Sequence, residues 1–307
     1  MKAYRFVQVD VFTHIPFGGN PLAVFPEAEG LTNEDMQRLA QEMNLSETTF
    51  VLPAQTAEAD FKVRIFTPAA ELPFAGHPVI GTHWTLAHLG RVPLQEPLTQ
   101  VRFELGVGVL AADLHVSDAQ VTRVVMTQAR PQFLTHLEDV TDLATGLGLP
   151  PEAITDTNLP VQIVSTGVPQ MMVPVRSLAE VQAMDANKLN TGVLNEVCRQ
   201  LDTECVMVFT FETEQAASTV HVRMFAPLLG VPEDPATGSA NGALGAYLVH
   251  HRAVTVTEPS THIISEQGAE MGRPSTIYVE VDSQGETSGA VRVGGEVVAI
   301  AEGTIRF

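Results

Sequence analysis

The feature that most restricts what this chain can fold into is that it repeats itself once. RIFTP at 64–68 answers RMFAP at 223–227. Each leads through a Pro/Gly-rich turn, ELPFAGHP or GVPEDPATGSA, into a run of small and apolar residues, PVIGTHWTLAHLG or SANGALGAYLVH, that reads as a helix. Further upstream, GGNPLAVFP at 18–26 is loosely matched by STGVPQMMVP at 165–174, and LSETTFVL at 45–52 by DTECVMVF at 202–209. Correspondences that keep one order at an offset of about 150 to 160 residues describe two copies of a unit, whereas solenoid repeats run about 20 to 50 residues. Equivalent loops of two such copies can face each other across a ligand, so the chemistry is expected between them.

Within the first copy, alternation marks strands at 4–12, 21–26, 48–53 and 60–66 and two more over 100–116, with helices at 32–43 and 77–89. Thr32 is placed to cap the first helix, with Asp35 three residues on as its capping-box partner and Met36, Leu39, Ala40 and Met43 on one face. Strands outnumber helices and cluster as hairpins, which predicts an α+β fold rather than a doubly wound parallel sheet. No Gly/Ser linker separates the copies, and the expected domains are 1–118 and 119–294.

At 307 residues, 45% hydrophobic and 17% charged, the chain can build a core without disulfide or metal staples. Its 36 acidic residues against 17 basic ones, a net of -19, oppose a nucleic-acid or anionic-membrane partner, since both require a basic surface. No apolar run nears the ~18 residues of a membrane span, and MKAYRFVQVDVF alternates like a strand, so a cytoplasmic protein is expected. Cys198 and Cys205 lack the spacing of a metal knuckle and read as core. Lys62 alternates with Phe61 and Val63 and points to the polar face of a strand, which disfavours a Schiff-base lysine.

Few residues could carry chemistry. Gly76 and His77 in GHP, and Gly238 and Ser239 in GSA, stand where a turn gives way to a helix, and free N–H groups at a helix start hold anions. Glu47 in EMNLSETTF opens an apolar strand after a helix end; it either caps backbone locally or acts as an acid/base whose pKa burial would raise. His77 and Asp234 fall in the two matching turns and could orient or relay a proton, or serve as a cap and an Asp-Pro turn. His83 and His88 are five apart, off the spacing of a zinc-binding helix, and no HExxH or paired CxxC is present, so no metal site is expected.

At FGGNPLAVF, QEMNLSETTF, FTPAAELPFAGHP, EDPATGSANGAL and EQGAEMGRPS the chain resembles the phenazine-biosynthesis PhzF-like family, from the first strand to the final GTIRF. The resemblance implies a diaminopimelate epimerase-like fold: two pseudo-symmetric halves, each an antiparallel β-sheet curled around a central α-helix, with residues from 295 to 307 returning to the first. It implies a homodimeric isomerase, free of metal and organic cofactor, that moves a proton along a small carboxylic acid resembling trans-2,3-dihydro-3-hydroxyanthranilate. Residue by residue, it implies Glu47 as acid/base, His77 and Asp234 as catalytic partners, and Gly76, Gly238 and Ser239 as substrate contacts. Two-base epimerases of similar fold carry a cysteine before each paired glycine, where this chain has Ala75 and Thr237. A symmetric thiol racemase is therefore disfavoured. An amino-acid epimerase opposing Glu47 with Asp234, and a catalytically silent ligand-binding protein, remain the alternatives.

Overall fold

The computed structural model describes residues 2–284 and 287–307. The chain forms two compact units, Met1–Thr127 with Gly294–Phe307, and Gln128–Val293. The first contains β1 (Ala3–Val11), β2 (Asn20–Phe25), α1 (Asn33–Met43), β3 (Glu47–Pro53), β4 (Phe61–Phe66), β5 (Glu71–Leu72), α2 (Gly76–His88), β6 (Leu98–Leu105), β7 (Gly108–Ser117) and β8 (Gln120–Thr127). The second contains β9 (Gln132–Leu137), α3 (Thr141–Leu147), α4 (Glu152–Thr155), β10 (Val161–Ser165), β11 (Pro169–Pro174), α5 (Leu178–Ala183), α6 (Thr191–Gln200), β12 (Cys205–Thr210), β13 (Val220–Ala226), β14 (Val231–Asp234), α7 (Gly238–His250), β15 (Ser260–Gln267), β16 (Ser275–Gln284) and β17 (Thr287–Gly295). A last strand, β18 (Val297–Arg306), runs antiparallel to β1 from Ala3↔Arg306 to Val11↔Val297, so the C-terminal segment completes the first unit.

The sheets are mixed rather than purely antiparallel. In the first unit β1–β2, β3–β4, β6–β7 and β7–β8 are antiparallel, whereas β2–β3 and β4–β6 are parallel. The second unit repeats this, with β11–β12 and β13–β15 parallel. Parallel neighbours need a crossover, and a helix supplies it. α1 crosses between β2 and β3, and α2 lies in the crossover from β4 to β6 just as α7 lies in that from β13 to β15. The connectivity therefore places one helix at the centre of each unit.

Both central helices are buried nearly all round, as a helix enclosed by a curled sheet must be. In α2 only Trp84, His88 and the first glycine escape full burial, and Gly81 lies so close that a Cβ would sit 2.6 Å from Leu22 and 2.7 Å from Val11. At Gly245 in α7 a Cβ would sit 2.5 Å from Val279. α1 instead lies outside its sheet: the Thr32–Asp35 capping box forms, and Met36, Leu39 and Ala40 pack on Phe25 and Phe50, with Met43 half-buried beside them. The expected division after residue 118 falls inside a hairpin. Asp118 and Ala119 both take positive φ, 53° and 58°, the mirror-image turn that suits the strand twist, and β8 folds back on β7 within the first unit. No described helix is long and apolar enough to cross a membrane.

Candidate functional site

In the first unit α1 ends at Asn44 in the left-handed conformation, and the chain turns into β3, whose first residue is Glu47. Side chains alternate along a strand, so Glu47 and Thr49 share the face toward α2. Thr49 Oγ1 lies 2.8 Å from Thr82 Oγ1, and Glu47 Oε2 lies 3.3 Å from His77 Nε2. The two side chains of that pair are 16% and 8% exposed, and the atoms that face each other, Glu47 Oε2 and His77 Nε2, are buried. Burial pushes the His77 imidazole down to about 3, so at neutral pH an uncharged ring adjoins the Glu47 carboxyl rather than forming an ion pair with it. A neutral imidazole presents one donor and one acceptor nitrogen, which suits it to hold a carboxyl group or a hydroxyl without competing for charge. Ser46 is exposed.

His77 is the second residue of α2, whose N-cap, Ala75, is extended and offers no side-chain cap, and no acid occupies the first turn. α7 starts the same way at Thr237 and Gly238. Helix starts left without a cap or an acidic neighbour keep backbone donors and the positive end of the dipole for an anion.

In the second unit Asp234 ends β14, and its carboxylate accepts the Thr237 hydroxyl. Gln267, the last residue of β15, reaches into this turn: its Nε2 donates to the Asp234 carbonyl at 2.8 Å, and its Oε1 accepts the Thr237 N–H at 3.1 Å. Gln128 Nε2 donates to the Gly238 carbonyl at 3.0 Å and is oriented by the Thr166 hydroxyl, which donates to its Oε1 at 2.6 Å. That side chain crosses α7 at Gly242, where a Cβ would lie 1.9 Å from Gln128 Oε1. The structure thus brings Glu47, His77 and Gly76 together in the first unit, and Asp234, Gly238 and Ser239 together in the second.

Gln267, Gln128 and Asn241 are not visible as site residues in the sequence. Each is a buried or half-buried amide with a partner 26 to 110 residues away, and only the EQG and SANG strings enclose two of them. One sequence match is also corrected. Aligning LSETTFVL with DTECVMVF sets Glu47 against Glu204. The strand pairings set it against Cys205: Leu22↔Glu47 corresponds to Gln170↔Cys205, and Phe50↔Arg64 to Val208↔Arg223. A slip of one residue changes the face, and Glu204 is exposed where Cys205 is buried.

His83 is structural: Nδ1 lies 2.7 Å from the Val79 carbonyl, the ring stacks on Phe103, and burial pushes its pKa down to about 4. His88 stacks on Trp84, and His250 on Phe133. Lys62 pairs with Glu104 at 3.0 Å, and both cysteines are buried and free. Among the described residues no group of three or more His, Cys, Asp or Glu is arranged to hold a metal.

Residues 9–303 match the family described as phenazine biosynthesis-like protein, PhzC-PhzF. The chain is 35% identical to the trans-2,3-dihydro-3-hydroxyanthranilate isomerase of Pseudomonas aeruginosa over 98% of each chain. The crystal structure of a Bacillus anthracis phenazine biosynthesis protein of the PhzF family superposes with a TM-score of 0.89 at 30% identity, covering 100% of both chains. A probable proline racemase from Agrobacterium radiobacter, 14% identical, shares the fold with a TM-score of 0.68 over 99% of this chain and 93% of that one.

Proposed function

We propose, from the premise that this chain belongs to the phenazine biosynthesis-like PhzC-PhzF family and is an isomerase, that it moves a proton between two carbons of a small unsaturated carboxylic acid with Glu47 as the single acid/base. The observation that carries this reading is the asymmetry between the register-matched positions. The first unit has Glu47 beside a neutral His77, whereas the second has Cys205 and Ser239 in the same places on strand and helix. Burial pushes the Cys205 thiol up to about 12, which leaves it protonated and inert at neutral pH.

In the proposed step the Glu47 carboxylate takes a proton from a carbon next to the unsaturated system, the electron pair delocalises, and the Glu47 carboxylic acid returns the proton to a second carbon. Electrons balance without an oxidant or reductant. Beside Glu47, His77 orients the amino or hydroxyl group of the substrate, and the helix start at Gly76 holds its carboxylate through backbone dipoles; Asp234, Gly238 and Ser239 in the second unit are proposed as further substrate contacts. This anchoring needs no lysine, so a net charge of -19 does not bar a small anionic substrate. The substrate class follows the name of the Pseudomonas aeruginosa relative, an isomerase of trans-2,3-dihydro-3-hydroxyanthranilate.

Glu47→Gln tests the assignment. Incubated with that acid in heavy water, the wild type should give product labelled at the carbon that receives the proton. The variant, with its fold intact by circular dichroism, should lose both turnover and label, and turnover retained in full sinks the reading. Inversion with label at the α-carbon of an amino acid would replace it by an epimerase, and a thermal shift without exchange at any carbon by a binding protein.

A further inference from the structure

We propose that Gln267 is a positioning residue: its buried amide clamps the turn between β14 and α7 and holds Asp234, Gly238 and Ser239 in the arrangement that receives the substrate. The inference rests on the substrate-holding role given to those residues under the proposed function. Gln267 is 1% exposed, and all four of its hydrogen-bonding positions are used within this one turn. Nε2 donates to the Asp234 carbonyl at 2.8 Å and to Thr237 Oγ1 at 3.2 Å, while Oε1 accepts from the Thr237 N–H at 3.1 Å and from Asn241 Nδ2 at 2.9 Å. Asn241, also 1% exposed, extends the clamp into the first turn of α7 by donating to the Thr237 carbonyl at 3.0 Å.

Two consequences follow from the directions of these bonds. Gln267 Nε2 donates into the Thr237 oxygen, so the hydroxyl hydrogen of Thr237 is left for the Asp234 carboxylate, which it contacts. The carboxylate is therefore held in one rotamer by a donor whose own orientation is set from β15. The Thr237 N–H is also taken by Gln267, which restricts the donors left at this uncapped helix start to residues further along it, Gly238 first. An amide is the one side chain of this length that supplies a donor end and an acceptor end together. A carboxylate would turn an acceptor toward two acceptors, and only its protonated form could restore one of the lost bonds.

Gln267→Leu and Gln267→Glu test this with trans-2,3-dihydro-3-hydroxyanthranilate as the probe, alongside amide NMR of the full chain. Gln267→Leu should raise KM at least tenfold while kcat changes less than threefold, and should shift amide signals over residues 234–241 but leave those of Glu47 and His77 in place. Gln267→Glu should show a KM that worsens as pH rises from 5 to 8, a dependence absent from the wild type and from Gln267→Leu. Folded variants with wild-type KM, or a Gln267→Glu profile parallel to the wild type, overturn the proposal. Should the wild type not turn over the probe, the proposed reaction fails on that result. The clamp is then judged by NMR: signals of 234–241 unchanged in Gln267→Leu overturn it.

Discussion

The two copies of the repeat use one scaffold with unlike side chains. Arg64 on β4 and Arg223 on β13 occupy matching registers, and each forms a two-pronged pair with a glutamate five residues before the first glycine of its central helix, Glu71 or Glu233. In the first unit this pair is open, with side chains 17% and 43% exposed. In the second it is enclosed at 3% and 6%, and Arg223 also donates to the Val181 and Met184 carbonyls. The candidate acid/base groups are distributed the other way. The unit with the open arginine pair carries Glu47 and His77, and the unit with the enclosed pair carries Cys205 and Ser239. Strand register and crossover helices survive in both copies because they build the core, while the side chains at the helix start are free to diverge.

The contrast can be broken most sharply at the matched acid positions. Glu47→Gln should cut turnover by roughly 10²–10⁴-fold, the usual range for an acid/base group, whereas Cys205→Ser should change kcat less than about threefold, because a thiol held protonated has no proton-transfer role. Comparable losses in the two variants, read by heavy-water exchange, would show that both units act on the proton.

The arginine pairs come next. Arg223→Ala leaves Glu233 buried and uncompensated and should cost about 3–5 kcal/mol, while Arg64→Ala should cost about 1 kcal/mol or less, since Glu71 stays in water. Urea unfolding monitored in parallel ranks them, and equal costs would remove the distinction drawn from burial.

The buried histidines respond to pH in two opposite senses: burial lowers His77 and His83 in the first unit and His251 at the end of α7, whereas His221 is raised. His77 and His83 are pushed by burial to about 3 and about 4, below the ordinary 6.5, so the unfolded chain binds more protons than the folded one in that window. Stability should fall by about 1.4 kcal/mol per pH unit for each ring as pH drops below 6.5, until the folded values are reached. His221 in the second unit differs. Burial opposes its charge, but Glu270 at 2.8 Å and Glu266 at 2.9 Å overcome that and leave its pKa raised. Its contribution is complete below 6.5 and is lost as pH rises through the raised value. Hydrogen exchange should therefore show α2 and the C-terminal end of α7 losing protection before the amides around His221 at pH 5, and the amides around His221 first at alkaline pH; loss in the reverse order would contradict these assignments.

Much of this architecture could be read in advance. The Thr32–Asp35 capping box and the central helix, expected over 77–89 and found at Gly76–His88, follow from local patterns. That Glu47 and His77 belong to one site comes from the family resemblance, and their 3.3 Å approach from the structure. What escaped was non-local. Glu204 and Cys205 are adjacent in sequence, and the choice between them as the counterpart of Glu47 turns on which residue pairs with Gln170. Gln267 looks like the polar end of a strand until its partners, 26 to 33 residues away in the chain, are seen to converge on its amide.

The sequence by itself determined the twofold repeat, most of the helix and strand order of the first copy and the family, because these rest on periodicity, local capping and motif succession. Only the tertiary structure decided that β8 closes the first unit, that His77 is buried and neutral, that Cys205 stands where Glu47 would, and that Gln267 holds the second turn. The physical reason is shared by all four. Side-chain period two leaves strand register degenerate until strands pair, and burial and long-range hydrogen bonds exist only once distant segments meet.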